Sequence, residues 1–496
     1  MKGDIMKNKK AIVTLLGMIS YSKPDYIIQD GKVKKIFVDI AEKDRAEYLF
    51  SEDLNAFAKK LNNNRYINTL HLLVDGFSER DIIPIATQKA KDIQIKTLDF
   101  LEVDKSCLDN TVIIDESKYE EFFQKISELL QKKEYESFII DLTHGFRHLP
   151  ILMIVNLIIA SMKENDKIEH IFFAKEIDSS KKYEIIDLLD YIGLAKLSFV
   201  LENFNTNYTV GNKLVFRNEL YQDLVDNLRI ISGHILANSI KALIDRDDNL
   251  IRSTIEKFEE LRRNDTKVAT FSNAIDNIIK HLKKIEILKD KADYIKLFKL
   301  SQMMKNRDYL LNSITLLNES IGMYCAELIE SIAPKHIKAY KVKEYFSMYE
   351  LSHSSKNIIL KEKSFKGSYL FEPNKKVLTA GQKTSLQKKK KRLKKCIDIR
   401  CIDEIEKSGF KIELNNKDII KTDSIKNIII DKLSKQDNEQ LKKLIEDISN
   451  LRNNLAHGNS SEEIENVKGT ITLYLNRYQK IAKILNNIDK EDIIPM

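Results

Sequence analysis

The chain has 496 residues, of which 43% are hydrophobic, with 6 prolines, 14 glycines and a formal net charge of +8. At roughly 100–200 residues per domain, this length predicts two to four domains with sizeable cores, which excludes a globally disordered protein. The low glycine and proline content argues against an all-β sandwich, and the mild positive charge permits nucleic-acid binding without requiring it.

Cysteine usage and hydropathy indicate the cellular compartment. Only Cys396 and Cys401 lie close together among the four cysteines, and a pair of thiols supplies half of the ligands that a structural zinc site requires, so no metal is expected. The N-terminus lacks the apolar core of a signal peptide, and the longest apolar run, 151–160, is too short to span a membrane. The sequence therefore predicts a cytoplasmic protein with reduced thiols and no membrane contact.

Short β-rich runs alternate with helical patterns up to about residue 190. Strands are predicted at 11–16, 34–40, 67–74, 93–98, 111–114, 137–142 and 170–175. Helices are predicted at 44–61, 119–131 and 149–162. This alternation is typical of βαβ units, so we expect a mostly parallel, Rossmann-like sheet covered on both faces.

Helical periodicity dominates after residue 191. Apolar residues at 441, 444, 445, 448, 451 and 455 form one helix face that ends near Gly458, and 464–487 is a further helix. The predicted fold class is α/β plus all-α. The predicted domains are an α/β domain at 1–192, a helical connecting region at 193–300 and a C-terminal helical domain at 301–496, with an inserted basic segment near 367–400.

The basic segment contains seven lysines and arginines between Lys388 and Lys395. The run fits either a solvated loop or helix face, or a patch that follows a phosphate backbone. Because no aromatic residue interrupts the run, we do not expect bases to stack there.

The most informative local pattern is an apolar strand that runs into a polar turn and then into an apolar helix. The turn holds Asp141, Thr143, His144, Gly145 and Arg147, and Pro150 follows at a plausible first helical turn. Ligands of open α/β sheets bind at the carboxyl ends of strands, where helix N-termini attract phosphate. The alternative is a tight turn between strand and helix whose polar side chains are hydrogen-bonded within the protein and bind no ligand.

Two further turns are expected at the same edge of the sheet. Gly17, Met18 and Ser20 follow the first predicted strand, and Asp75 and Gly76 follow the strand predicted at 67–74. Neither turn has the GxGxxG or Walker pattern, so the sequence favours a nucleotide-like ligand without a dinucleotide or nucleotidase motif.

A second motif lies near the C-terminus, where Arg452, Asn453 and His457 close an amphipathic helix. Histidine can move the proton of a 2′-hydroxyl or a leaving group, and arginine can stabilise charge on a phosphorane, so the set suits metal-free cleavage of RNA. The spacing R-x4-H is weak evidence by itself, because Arg229 and His234 repeat it. A surface helix end is the alternative reading of the motif.

Taken together, these motifs resemble the CRISPR-associated CARF–HEPN ribonucleases of type III systems. The run from Asp141 to Gly145 matches their DxTHG signature, Gly17 resembles the glycine of their first-strand turn, and Arg452 to His457 matches the HEPN motif R-x4-H. In place of the usual Gly-Thr-Gly, this chain reads Gly17-Met18-Ile19-Ser20, which leaves the size of the bound ring open.

The resemblance implies a homodimer with one shared sensor pocket and one composite nuclease site. Cyclic oligoadenylate made by the type III effector complex would be the activator, tetra-adenylate being favoured over hexa-adenylate. Single-stranded RNA would be the substrate, and no cofactor would be required. Thr143, His144 and Gly145 would line the ring, with Gly17 and Ser20 nearby, and Arg452 and His457 would cleave the RNA.

Two alternatives stay open at this point. The sensor domain could itself cleave the ring slowly through His144, Arg147 and His148. The chain could instead be a non-catalytic nucleotide sensor that acts as a regulator, or as a nucleic-acid scaffold through the basic segment.

Overall fold

The computed structural model describes residues 9–29, 32–62, 64–115, 117–145, 148–162, 167–178, 181–211, 214–244, 249–330, 346–361, 369–373, 384, 410–414, 432–458 and 461–484. The chain divides into two units, one formed by 1–232 with 253–279 and the other by 233–252 with 280–496. The Cys396–Cys401 pair and the basic run 388–395 lie outside the described residues. The predicted borders at 192 and 300 stay predictions.

The strands of the first unit are β1 (Lys9–Leu15), β2 (Ser22–Gln29), β3 (Lys32–Asp39), β4 (Ala46–Phe50), β5 (Arg65–Tyr66), β6 (Asp81–Ala86), β7 (Val112–Ile113), β8 (Tyr135–Asp141), β9 (Ile168–Asp178) and β10 (Lys182–Asp187). Its first helices are α1 (Asn55–Ala58), α2 (Thr69–Gly76), α3 (Gln88–Phe100), α4 (Tyr119–Gln131), α5 (His148–Ser161) and α6 (Leu189–Asn207).

Eight strands form the main sheet in the order β5-β4-β10-β9-β8-β1-β6-β7, while β2 and β3 form a separate hairpin. Strands β9, β8, β1, β6 and β7 are parallel to one another. From β1 the chain proceeds to β6 on one side, whereas from β8 it proceeds to β9 on the other side. The gap between the carboxyl ends of β1 and β8 is therefore a topological switch point, where open α/β sheets bind ligands.

Alternate residues of β1 enter different cores, as the period of a buried strand requires. Ala11, Val13 and Leu15 pack with α4 and α5 on one face. Ile12, and Leu16 directly after the strand, pack with α2 and α3 on the other face. The predicted α/β sheet with helices on both faces is confirmed.

Several predicted elements were wrong in type. The strand predicted at 67–74 is helix α2, which is buried along most of its length and so shows no amphipathic period. The strand predicted at 93–98 lies within α3, whose first turn is capped by the Thr87 hydroxyl accepting from Ala90 N at 3.2 Å. The helix predicted at 44–61 is instead β4 followed by short helical turns, because β4 pairs with the distant β10.

Strand β6 escaped prediction because Pro84 lies inside it, opposite Thr14 of β1. Proline has no backbone N–H to donate to a neighbouring strand, so a segment that contains it is normally predicted as an edge strand or a loop. The run 34–40 is a strand as predicted, although it belongs to the hairpin and not to the main sheet.

The rest of the described chain is mainly helical. Its elements are α7 (Glu219–Leu236), α8 (Ile240–Ile244), α9 (Leu250–Asn264), α10 (Ser272–Glu286), α11 (Asp293–Lys305), α12 (Leu310–Ile329), α13 (Phe346–Lys361), β11 (Tyr369–Pro373), β12 (Phe410–Leu414), α14 (Lys435–Ala456) and α15 (Ile464–Ile481). Strands β11 and β12 form an antiparallel pair. None of the described helices is both long and apolar enough to cross a bilayer.

Helix α12 is the centre of the second unit, where it packs against α11, α13, α14 and α15. Fourteen of its 20 residues are buried, which fits a helix surrounded by others. Both predicted C-terminal helices are confirmed, and Gly458 takes a φ of +66° just after α14, as expected for a helix-ending glycine. The predicted fold class, α/β followed by all-α, is thus confirmed.

Candidate functional site

Two polar turns meet at the switch point. A Cβ added to Gly17, after β1, would lie 3.4 Å from both the backbone N of Gly145 and the Cβ of His144, in the turn after β8. Gly145 has a φ of +104°, and an added Cβ would lie 3.3 Å from Leu15 Cβ. The two turns thus approach closely through glycines, as the sequence predicted for the β1 and β8 turns.

Asp141, at the end of β8, stabilises this arrangement through buried hydrogen bonds. Its carboxylate Oδ2 accepts hydrogen bonds from the hydroxyls of Thr14 at 2.7 Å and Thr69 at 2.8 Å, and its Oδ1 accepts from Thr143 N at 3.1 Å. The side chain is 1% exposed. These bonds commit the carboxylate to tying β1, α2 and the β8 turn together, and the predicted contact of Asp141 with a ligand stays a prediction.

Thr143 also serves the frame of the site, because its hydroxyl accepts from Ala174 N of β9 at 3.0 Å. His144 Nε2 accepts from the backbone N of Thr69 at 3.3 Å. Burial lowers the pKa of the His144 imidazole, although the nearby Asp141 charge opposes that shift. Because Nε2 accepts from a backbone N–H, it carries no proton, which places the proton of the ring on Nδ1.

A further buried pair fixes the turn after β1. The Gln94 side-chain amide donates to the carbonyls of Gly17 and Ile19, both at 3.0 Å, and its Oε1 accepts from Asn68 Nδ2 at 2.8 Å. Asn68 in turn caps α2 by accepting from His71 N at 3.0 Å. The backbone path of residues 17–19 is thereby fixed by side chains that are almost completely buried.

The remaining predicted ligand residues fall into three groups. Met18 is 40% exposed beside the switch point, and the Ser20 hydroxyl accepts from Ser22 N at 3.4 Å. Arg147 lies outside the described residues. His148 begins α5 and stacks edge-on against Tyr119 at 5.1 Å between ring centroids, so ring cleavage by these histidines stays a prediction.

Asp75 and Gly76 do not join the other candidates, which corrects their predicted place. They end α2, about 9 Å along the helix axis from Thr69, and so lie toward the amino ends of the parallel strands. The Asp75 carboxylate accepts from Asn62 Nδ2 at 2.8 Å and from the Tyr66 hydroxyl at 2.6 Å. A strand at 67–74 would end at the carboxyl edge of the parallel sheet. Helix α2 instead starts at that edge and runs back along the sheet, so its end lies toward the opposite edge.

Sequence reasoning missed Thr14, Asn68, Thr69 and Gln94. Thr14 had a usable signal, because it is the one polar residue in the apolar run 11–16 and it pairs with Asp141 in register. Gln94 had none, since its contact with the β1 turn depends on how α3 packs on the sheet.

Arg452, Asn453 and His457 occupy the C-terminal end of α14, as predicted. Arg452 Nη1 donates to Asn453 Oδ1 at 3.2 Å, while His457 caps the helix and is exposed. An interval of five residues separates Arg452 and His457 by about 140° around a helix axis. Among the described residues, no group of three or more His, Cys, Asp and Glu side chains could hold a metal ion.

No family model and no curated protein matches the chain. Among solved structures, Enterococcus italicus Csm6 bound to cyclic hexa-2′-fluoro-hexa-dAMP is similar at 13% identity and a TM-score of 0.33, covering 97% of this chain and 96% of that chain. Because a TM-score this low does not establish a common fold, the function is inferred from the site.

Proposed function

We propose that this protein is a cyclic-oligoadenylate-activated, metal-independent endoribonuclease that cleaves single-stranded RNA in type III CRISPR defence. The observation that carries the proposal is the meeting of Gly17 with His144 and Gly145 at the topological switch point of a parallel sheet. The DxTHG turn occupies the place where such sheets bind nucleotides, and R-x4-H ends a helix of the all-α part.

The sensor function rests on backbone and small side chains. Glycines at both turns leave the backbone open to close approach, and the N-terminus of α2, whose first N–H donates to His144, lies beside them. The proposed ligand residues are Gly17, Met18, Ser20, Thr143, His144, Gly145 and Arg147. Tetra-adenylate is the favoured ring, and hexa-adenylate is the second candidate.

The nuclease function rests on Arg452 and His457, with Asn453 holding Arg452. The RNA 2′-hydroxyl attacks the adjacent phosphorus as it loses its proton, and the 5′-oxygen leaves as it gains one, giving a 2′,3′-cyclic phosphate and a 5′-hydroxyl. His457 transfers one of these protons, and Arg452 stabilises the charge on the phosphorane. Their wide separation around one helix favours a site to which two copies contribute.

Helix α5 supports the proposed homodimer. Its inner face is buried, yet Ile151, Val155 and Ile159 on its outer face are 65%, 43% and 51% exposed. Helices that are apolar all round are normally covered on every side, and contiguous apolar patches mark interaction sites. Because α5 begins next to the DxTHG turn, a second copy on this face would bring two ring-binding turns together around a two-fold axis.

Activation requires that the ring bind the active state more tightly than the inactive state. Shifting the population from 1:99 to 99:1 requires about 5.5 kcal/mol of preference. A ring whose four or six phosphates meet the same turns of two copies is a reasonable source of that preference.

The experiment is cleavage of a fluorophore-quencher RNA in EDTA, with cyclic tri-, tetra- and hexa-adenylate added separately. Cleavage with one ring and none without it is expected. His457→Ala should abolish cleavage and retain ring binding, whereas His234→Ala, in the other R-x4-H match, should cleave like the wild type. Ring binding without cleavage would leave a non-catalytic sensor, and the absence of both would overturn the proposal.

A further inference from the structure

A buried polar cluster lies on the inner side of α14, in the turn that precedes the nuclease motif. Lys356 of α13 is 6% exposed, and its Nζ donates to Asn318 of α12 at Oδ1 (2.9 Å) and at the backbone O (3.3 Å). Asn318 Oδ1 also accepts from the Ser449 hydroxyl of α14 at 3.3 Å. Three helices therefore converge on one amide oxygen.

The cluster faces Arg452. Ser449 and Arg452 are three residues apart on α14 and so lie on the same side of the helix. Arg452 Nε is buried and has no hydrogen-bond partner among the described residues, while Nη1 reaches outward to Asn453. The inner part of the guanidinium thus lies in the protein, while its outer part is held by Asn453.

A carboxylate, that of Glu319, also belongs to this cluster. Glu319, next to Asn318, accepts from Asn318 Nδ2 at 3.3 Å through Oε1, and its Oε2 is buried without a partner in the described chain. Burial lowers the pKa of Lys356; the Glu319 and Cys325 side chains oppose that shift, whereas Arg452 adds to it. The Lys356 charge therefore lies near the Glu319 carboxylate, which attracts it, and near Arg452, which repels it.

We propose that Lys356 is a positioning residue for Arg452: by neutralising Glu319 it keeps the guanidinium from turning inward, so that its outer nitrogens stay free for an RNA phosphate. This inference rests on the proposed function and adds a residue that the R-x4-H motif does not contain. Without Lys356, the unpartnered Glu319 Oε2 and Arg452 Nε would be free to form a buried ion pair, which is strongly held once formed.

The test combines removal of the lysine with removal of the carboxylate. Lys356→Met keeps an unbranched side chain, one atom shorter than lysine, and removes its charge. We expect it to lower the kcat of ring-activated RNA cleavage by about 10- to 100-fold, since misplacing a positioned group costs that much, with ring affinity unchanged. Adding Glu319→Gln to Lys356→Met should restore kcat to within about threefold of the wild type, because Arg452 then has no carboxylate to pair with.

Rescue distinguishes positioning from a merely structural role. Lys356→Met with the kcat of the wild type would overturn the inference, and so would a folded double variant that stays as slow as the single one. If Lys356→Met fails to fold, Lys356→Arg carries the test: it retains the charge and should retain cleavage, and a folded but inactive Lys356→Arg protein would contradict the inference. A wild-type chain that binds the ring without cleaving RNA would instead overturn the proposed function itself.

Discussion

At the scale of single residues, the two glycines of the candidate sensor site differ in what they require. Gly145 has a φ of +104°, which L-residues rarely adopt, whereas Gly17 needs only space and would keep ordinary contacts at 3.4 Å. We expect Gly145→Ala to lower the free energy of unfolding by about 1–3 kcal/mol and Gly17→Ala to lower it by less than about 1 kcal/mol. Urea denaturation of both variants measures the difference, and equal losses would contradict this account.

Buried histidines make the stability of the protein depend on pH. Burial, with Arg45 nearby, lowers the pKa of His71 from 6.5 to about 4, although Asp75 opposes that shift, and the pKa of His144 is lowered as well. Between pH 6.5 and pH 4 the unfolded chain binds more protons than the folded chain. The free energy of unfolding therefore falls as the pH is lowered over this range.

Urea denaturation at pH 7 and pH 5 tests this dependence. His71 should account for a loss of roughly 1–2 kcal/mol between the two values. The variant His71→Gln cannot be protonated, so its loss should be smaller by about that amount. The comparison uses the change with pH in each protein, which removes any fixed cost of the substitution. Identical pH dependence in the two proteins would show that His71 does not contribute.

At the scale of secondary-structure elements, the contact of α12 with α13 depends on a missing side chain. A Cβ added to Gly322 would lie 2.6 Å from Ser352 Cβ and 2.8 Å from Ser352 Cα, so the two helices would have to separate. We expect Gly322→Ala to lower the free energy of unfolding by about 1–3 kcal/mol, or more. Because α13 carries Lys356, ring-activated cleavage should fall as well.

Gly469, inside α15, is the matched control. A Cβ added there meets nothing within 4 Å. Alanine is a better helix former than glycine, so Gly469→Ala should raise the free energy of unfolding by up to about 1 kcal/mol. Thermal and urea denaturation of the two variants would show opposite signs, and a neutral Gly322→Ala would mean that α12 and α13 are farther apart than the structure has them.

At the scale of the whole molecule, the proposed activation depends on a second copy that covers α5. Ile151→Asp places a charge in the centre of the exposed apolar face and should convert a dimer into a monomer, with loss of ring-dependent RNA cleavage. Light scattering and the RNA assay measure the two effects. Val215→Asp changes a residue of equal exposure, 66%, in a loop and should retain both dimer and activity. A dimer that survives Ile151→Asp would exclude this face as the interface.

Local patterns in the sequence are sufficient to predict the alternating α/β part, the later helices and the positions of the turn residues around Gly17 and Asp141. These features follow from local patterns: apolar strands, polar turns at their ends, and the 3.6-residue period of α14. For the same reason the candidate nuclease motif was placed correctly at a helix end closed by Gly458.

Long-range packing determines which turns meet and which side chains hold the frame of the site together. The order of the strands depends on pairing between distant segments, so α2 and β6 were misread and Asp75 was assigned to the wrong edge. Burial, likewise, is a property of the packed chain. It makes Asp141 a support of the candidate sensor site, and it brings Lys356, Asn318 and Glu319 from separate positions in the sequence to the inner side of Arg452.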